Sequence, residues 1–485
     1  MKKEQIGHKL EKSIDLDPLF EEIGKGDIRY VLLGEASHGT SEFYSWRTEI
    51  TKRLISEQKF SFIAVEGDWP DCYNVNRYVK GMFNSKANHS SNSSSNRNAY
   101  DVLYTFNRWP TWMWANREIV DLVEWLRKYN EKLPEEQRVG FYGLDVYSLW
   151  ESMESVIKYL RKVDPNAIKT AIEAYSCFEP YGRSVEDYAR ATAFVPESCE
   201  DEVIDMLIEL HSKSGQYKTN GLGRKEEYFN AEQNAIVAKN AELYYRKMIQ
   251  GGTATWNIRD THMMDTLKRL MDFYDGKDDS RNNNNNNIRN NSSSKSIVWA
   301  HNTHVGDARQ TDMAAAKMIN IGQLVREHAS EKNVILVGFG TYKGSVIAAK
   351  EWGEKMERMN VPPAIEGSWD HLLHKQNNGS NRLIIFRGDG DNDNKNDIER
   401  NDRYKDLLSQ NIVRNTIRKK GQRAIGVVYN PQYERYGNYV PTILAKRYDA
   451  FLYIDETHAL HPLLMPEVKG EQQDKELPET FPTGL

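Results

Sequence analysis

The chain has 485 residues, a length that one hydrophobic core rarely serves, so two to three packed units or one enlarged domain with insertions are expected. Its 65 basic and 70 acidic residues leave a formal charge of -5, too weak a field to point to nucleic acid as a partner. Cys72, Cys177 and Cys199 are scattered without C-x-x-C spacing, which argues against a disulfide framework and a thiolate zinc site and for a reducing compartment. The charged start Met1-Lys2-Lys3-Glu4 and the lack of any long apolar run give a cytoplasmic expectation, with no membrane partner.

In chain order, short aliphatic runs bounded by glycine or polar turns predict buried strands. They cover Ile28 to Leu33, Phe60 to Val65, Arg138 to Leu144, Ile297 to Ala300, Val334 to Phe339, Leu383 to Phe386, Ala424 to Tyr429 and Phe451 to Ile454. Helical patterns at Glu42 to Glu57, Arg117 to Tyr129 and Gly322 to His328 alternate with them, so the fold class is α/β with a largely parallel central sheet flanked by helices. From Tyr147 to Leu270 the strand pattern stops, and amphipathic segments such as Asp201 to Leu210 and Tyr228 to Met248 predict a helical insertion covering one side of a cleft. The expected organisation is residues 1–146 as the N-terminal part of the α/β catalytic domain, 147–270 as the insertion and 271–485 as the C-terminal part.

Two asparagine-rich stretches, Asn84 to Asn98 and Asp278 to Ser296, bury almost nothing apolar and are expected to be mobile loops. A third polar stretch, Gly388 to Asp402, begins Asp389, Asp391, Asp393 like a calcium loop. Asn394 and Arg400 replace the glycine and glutamate such a loop needs, so a solvated loop is expected.

Ligands of open α/β sheets bind beyond the carboxyl ends of the strands, and the polar clusters of this chain sit there. Glu35 and His38 follow the first strand, with Arg47 on the next helix. Glu66 and Asp68 follow the second, His301 and His304 follow the Ile297 to Ala300 strand, and Arg259-Asp260 open a helical run. Each has a plainer reading: His38 as a satisfied core or capping histidine, His301 and His304 as a helix-start pair, Arg259-Asp260 as a surface ion pair, Glu66 as a sheet anchor. There is no G-x-S-x-G elbow, H-E-x-x-H helix, G-x-G-x-x-G or P-loop, so acid and base chemistry by His and Glu remains. An imidazole held by a carboxylate can take a proton from water while a cation stabilises the oxyanion of an ester.

The residues Gly34-Glu35-Ala36-Ser37-His38-Gly39-Thr40, Phe43, Arg47, Val65-Glu66-Gly67-Asp68, Asn257-Ile258-Arg259-Asp260, Trp299-Ala300-His301-Asn302-Thr303-His304 and Gly367-Ser368-Trp369 resemble the erythromycin esterases and their homologues named succinoglycan biosynthesis protein. The resemblance runs from Ile28 to Ile454. It implies a metal-independent hydrolase without cofactor that opens the lactone ring of a macrolide or a related bulky ester. In that reading His38 is the general base, Glu35 and Glu66 orient base and water, and His301 completes the catalytic set. Arg47, Arg259, His304 and Asp260 are on the substrate side, with Trp69, Trp109, Trp112 and Trp114 offered as an aromatic cleft wall. Two other readings stand beside it: a metal-dependent hydrolase using the same His and Glu residues, and a non-catalytic accessory protein of polysaccharide biosynthesis.

Overall fold

A computed structural model of the chain describes residues 5–82, 98–194, 198–217, 222–249, 251–276, 293–387 and 419–463. Apart from Asn98 and residues 293–296, the two asparagine-rich stretches lie outside the described residues, as does the whole Gly388 to Asp402 stretch. Among the described residues the strands are, in chain order, β1 (His8–Lys9), β2 (Tyr30–Leu33), β3 (Phe62–Asp68), β4 (Gly140–Asp145), β5 (Ser296–Trp299), β6 (Val334–Ala348), β7 (Glu357–Val361), β8 (Arg382–Ile385), β9 (Lys420–Arg423), β10 (Tyr439–Thr442) and β11 (Ala450–Thr457). None of the described helices is long and apolar enough to cross a membrane.

The chain divides into two compact units. Unit 1 takes residues 1–63, 106–122 and 271–485, and unit 2 takes residues 64–105 and 123–270. In unit 1 the strand order is β1-β8-β11-β6-β2-β5. β2 runs parallel to both β5 and β6, with Leu33 opposite Trp299 on one side and Val337 on the other. β11 is also parallel to β6, while β8, β1 and β7 add antiparallel pairs at the margins. The sheet is thus mostly parallel, and every residue of β2 and β5 is buried, which is why these strands are continuous apolar runs rather than alternating ones. The helix Ser41–Gln58 buries Phe43, Tyr44, Arg47, Ile50, Thr51 and Leu54, a stripe at three- and four-residue spacing facing inward.

One predicted strand is corrected. The run Ala424 to Tyr429 is mostly buried, but among the described residues it makes isolated bridges, Ile425 to Ser37 and Val428 to Ala349, and the strand proper is β9 just before it. An apolar segment buried among irregular neighbours has the composition of a strand without a ladder partner along its length.

β3 runs from unit 1 into unit 2, where it lies beside β4. Most of unit 2 is helical: Leu149–Val163, Ile168–Tyr175, Val185–Phe194, Glu200–Ser212 and Leu222–Met248 follow β4. Their inward faces form one core that includes Leu149, Met153, Val156, Leu160, Tyr188, Met206 and Tyr228.

Inside this core the structure overturns the cysteine reading. Cys177 and Cys199 form a disulfide with Cα atoms 5.8 Å apart, and Cys72 is left as a buried free thiol. A spacing of 22 residues carries no motif; helix packing brings the two together, and Tyr188 Oη helps by accepting the Cys199 backbone N–H at 3.0 Å. The cysteine argument for a reducing compartment falls with it. Closing a loop of this length restricts the unfolded chain by about 3 kcal/mol in the chain-entropy account. Replacing both Cys177 and Cys199 by Ser is expected to lower the denaturant stability of unit 2 by up to that amount, and alkylation of unreduced, denatured protein should label Cys72 alone. Labelling of all three thiols would refute the pairing.

Candidate active site

The turn from Gly34 to Thr40 leaves the sheet at the end of β2, yet its backbone is bonded on every side. Gly34 N–H donates to Val337 O at 2.8 Å, Ile425 N–H to Ala36 O at 2.8 Å, and Ile347 N–H and Leu460 N–H both donate to Gly39 O at 3.0 Å. The Tyr44 hydroxyl donates to the carbonyl of His38 at 3.1 Å, and Ser37 Oγ pairs with Thr40 Oγ1. A Cβ on Gly39 would stand 1.9 Å from Ile347 O, so only glycine lets this turn press against β6. A loop with its polar backbone satisfied in this way is rigid, which is what a catalytic turn needs.

Within the turn, Glu35 Oε1 accepts from His38 Nδ1 at 3.0 Å and Glu35 Oε2 accepts from Arg47 Nη2 at 2.6 Å. Arg47 is fully buried, with its guanidinium 4.4 Å from the Tyr44 ring and 4.5 Å from the Trp299 ring. Its Nε and Nη1 find no hydrogen-bond partner among the described residues, so aromatic faces supply much of what solvates the charge. A carboxylate can only accept, so the partner places a proton on His38 Nδ1, and in the neutral ring the lone pair is then at Nε2.

His301 caps the short helix Asn302–Val305 and is buried. Its Nδ1 lies 3.3 Å from the donating Thr303 N–H and 2.8 Å from Thr303 Oγ1, which assigns it the Nε2–H tautomer. Its ring centroid lies 4.8 Å from that of His38. The helix-start reading of His301 is therefore correct, and it does not compete with proximity to His38. His304 is buried in the same turn. Unit 1 thus brings together Glu35, His38, Arg47 and His301.

The other expected site residues are in unit 2. Glu66 sits in β3, and Arg259 and Asp260 are on the helix Ala254–Tyr274. Arg259 Nη2 donates to Glu66 Oε1 at 2.7 Å, and Arg259 grips Asp145 in two-point fashion, Nε to Oδ1 at 2.9 Å and Nη2 to Oδ2 at 2.6 Å. Burial by itself pushes the guanidinium's pKa down, but Asp145 and Glu66 beside it hold it above its ordinary value. Arg259 and Asp260 are both buried, so the surface ion-pair reading of this dipeptide is wrong. Asp145 was missed, although it follows an apolar run just as Glu66 does, and the same rule applied to Phe141-Tyr142-Gly143-Leu144-Asp145 finds it. The expected aromatic wall needs correction too. Trp69 is core of unit 2, stacked on Tyr73 and Tyr142, and Trp109, Trp112 and Trp114 are buried in unit 1, where Trp109 packs on Trp112 and Trp352.

A family model described as erythromycin esterase matches residues 55–457. The chain belongs to the erythromycin esterase family. The matched range holds Glu66, Asp145, Arg259, His301 and His304, while the Glu35, His38 and Arg47 turn precedes it. A curated relative, the erythromycin esterase type II of Escherichia coli, is 24% identical over 176 residues, which is 36% of this chain and 37% of that protein. Among solved structures, a succinoglycan biosynthesis protein superposes with a TM-score of 0.66 at 20% identity over 94% of this chain and 95% of that one. A protein from Bacillus cereus gives 0.66 at 17% identity, covering 95% and 97%. An erythromycin esterase mutant in its open conformation gives 0.59 at 14%, covering 93% and 97%. At such identities these likenesses establish the fold that this member of the erythromycin esterase family shares with them.

One more histidine of this family member lies beside the Arg259 cluster. His262 Nδ1 accepts from Asn240 Nδ2 at 2.8 Å, and burial pushes its imidazole from 6.5 down to about 4 against the pull of Asp145. Above pH 6.5 the ring is neutral in folded and unfolded chain alike. As the pH falls from 6.5 towards 4 the unfolded chain takes up a proton that the folded one refuses, so folding is weakened. Between pH 7 and pH 5 this should lower denaturant stability by about 2 kcal/mol, a slope that His262→Gln should remove. An unchanged slope in the variant would place the acid sensitivity elsewhere.

Proposed function

We propose that this chain is an esterase-like hydrolase that opens a macrolide lactone or a related bulky ester by direct attack of water, with His38 as general base. The observation that carries the reading is the Glu35 carboxylate shared between His38 Nδ1 at 3.0 Å and the buried Arg47 at 2.6 Å. A core histidine has no need of a charged partner that is itself locked by a desolvated arginine, whereas a base does. The carboxylate sets the tautomer and stabilises the imidazolium that forms when Nε2 takes the proton.

In the proposed reaction the water oxygen bonds to the ester carbonyl carbon as its proton passes to His38 Nε2. The oxyanion takes hydrogen bonds from fixed donors, for which the Nε2–H of His301 is suited. Collapse breaks the bond to the ring oxygen, which receives the proton from His38, and the products are a hydroxyl and a carboxylic acid that gives its remaining proton to solvent and becomes a carboxylate. Arg47 was expected on the substrate side; its place on Glu35 favours an orienting role instead. Glu66 is assigned as a second orienting carboxylate, and Arg259, Asp260 and His304 as substrate-side groups, as the family resemblance implies. A small-molecule ester is the proposed partner, with no cofactor.

The test is mass spectrometry of erythromycin and a panel of simple esters after incubation with purified protein and a chelator. A gain of one water that survives chelation supports the reading; turnover that chelation abolishes replaces it with a metal-dependent one. Under the same conditions His38→Asn should lower kcat by about 100- to 10,000-fold with an unchanged melting curve, and His304→Asn should be milder. Wild-type turnover by the His38 variant would end the assignment of the base.

A further inference from the structure

Asn302 has no part in the reading above, although it separates His301 from the rest of its turn. All its polar atoms are engaged. The backbone N–H donates to Glu35 O at 2.8 Å, and the backbone carbonyl accepts from Arg447 Nη2 at 2.8 Å and Gly306 N–H at 3.0 Å. The side chain reaches β6, where Nδ2 donates to Phe339 O at 2.7 Å and Oδ1 accepts from Phe339 N–H at 3.2 Å.

The strand order makes this pairing informative. β2 lies between β6 and β5, and Asn302 follows β5, so its amide crosses the end of β2 to reach β6. It crosses at Gly34, where a Cβ would stand 2.2 Å from Asn302 Oδ1. With Leu33 opposite Val337 and Trp299, the register extended by two residues sets Glu35 opposite Phe339 on one side and His301 on the other. Had β2 continued, its backbone would have taken the N–H and C=O of Phe339. The chain turns away there to carry Glu35 and His38, and the Asn302 amide takes those two ladder positions instead.

We infer that Asn302 is a positioning residue which stands in for the missing backbone of β2 and so fixes the Glu35–His38 turn against His301. This rests on the reading of those histidines as the reacting and assisting groups. It accounts for Gly34 and Asn302 as one requirement, a side-chain amide in a space that only glycine leaves open. Arg447, fully buried and bonded to Gln422 Oε1, Thr442 Oγ1 and Asn302 O, holds the other side of the same turn.

The test uses the full chain with Asn302→Asp and Gly34→Ala, following ester turnover across pH and the Cε1–H NMR signals of His38 and His301. In Asn302→Asp a neutral carboxyl can still donate to Phe339 O, whereas the ionised form meets that carbonyl with repulsion. Relative to wild type, kcat at alkaline pH should therefore fall by about 100-fold with KM little changed, and recover by about 10-fold or more as the pH is lowered. The two histidine signals should move in step with that recovery. Gly34→Ala pushes on Oδ1 without deleting a hydrogen-bonding group and should displace the same two signals, which keeps the test decisive if Asn302→Asp does not fold. Unmoved histidine signals in the folded variants, or a loss of turnover that only tracks lost stability, would overturn the inference. Because the signals need no turnover, a wild-type protein inactive on every ester would sink the esterase reading and still decide the role of Asn302.

Discussion

The contact on which the rest of unit 1 depends is the buried carboxylate of Glu35, shared between the His38 imidazole and a guanidinium with little access to water. Two charges so placed are costly to desolvate, and their attraction offsets that cost only while the geometry holds. The surrounding structure supplies that geometry: aromatic faces on both sides of Arg47, and a turn whose carbonyls and amides are bonded to β6, to residues 425 and 460, and to Tyr44. Removing Arg47 would leave a buried negative charge without its guanidinium partner, so the arginine matters to the turn itself.

The parallel sheet turns this local pair into a site. Parallel strands end at the same edge, so the segments leaving β2 and β5 emerge side by side, and the register sets Glu35 level with His301. Their tautomers are opposite because their Nδ1 partners are opposite in kind: a carboxylate that can only accept faces His38, and a backbone N–H that donates faces His301. In the neutral rings this leaves a lone pair at Nε2 of His38 and a proton at Nε2 of His301, the complement that the proposed base and electrophile would require.

Unit 2 uses the same device in another form. Glu66 and Asp145 stand in neighbouring strands whose apolar runs end in acid, and Arg259 answers both from a helix. Buried carboxylates need a cation, and the arginine is kept charged by the pair it serves. The disulfide and the tyrosine network beyond them tie the helices into a single core.

Much was determined by the sequence itself. Strands buried on both faces must be apolar throughout, so β2, β3, β5, β6, β8 and β11 are legible as runs, and polar residues just past those runs mark Glu35, His38, Glu66 and His301 as out of place in a core. The family motifs are likewise local strings. What the sequence did not carry is partner choice across long separations. That Arg259 pairs with Asp145, 114 residues before it, that Cys177 meets Cys199, and that Asn302 occupies ladder positions on β6 are outcomes of packing. Edge strands such as β7, with three of five residues exposed, lack the apolar run that burial on both faces imposes, and the buried run after β9 has that composition without the pairing. A residue's own chemistry states what kind of partner it needs, while only the folded chain decides which residue of that kind comes within reach.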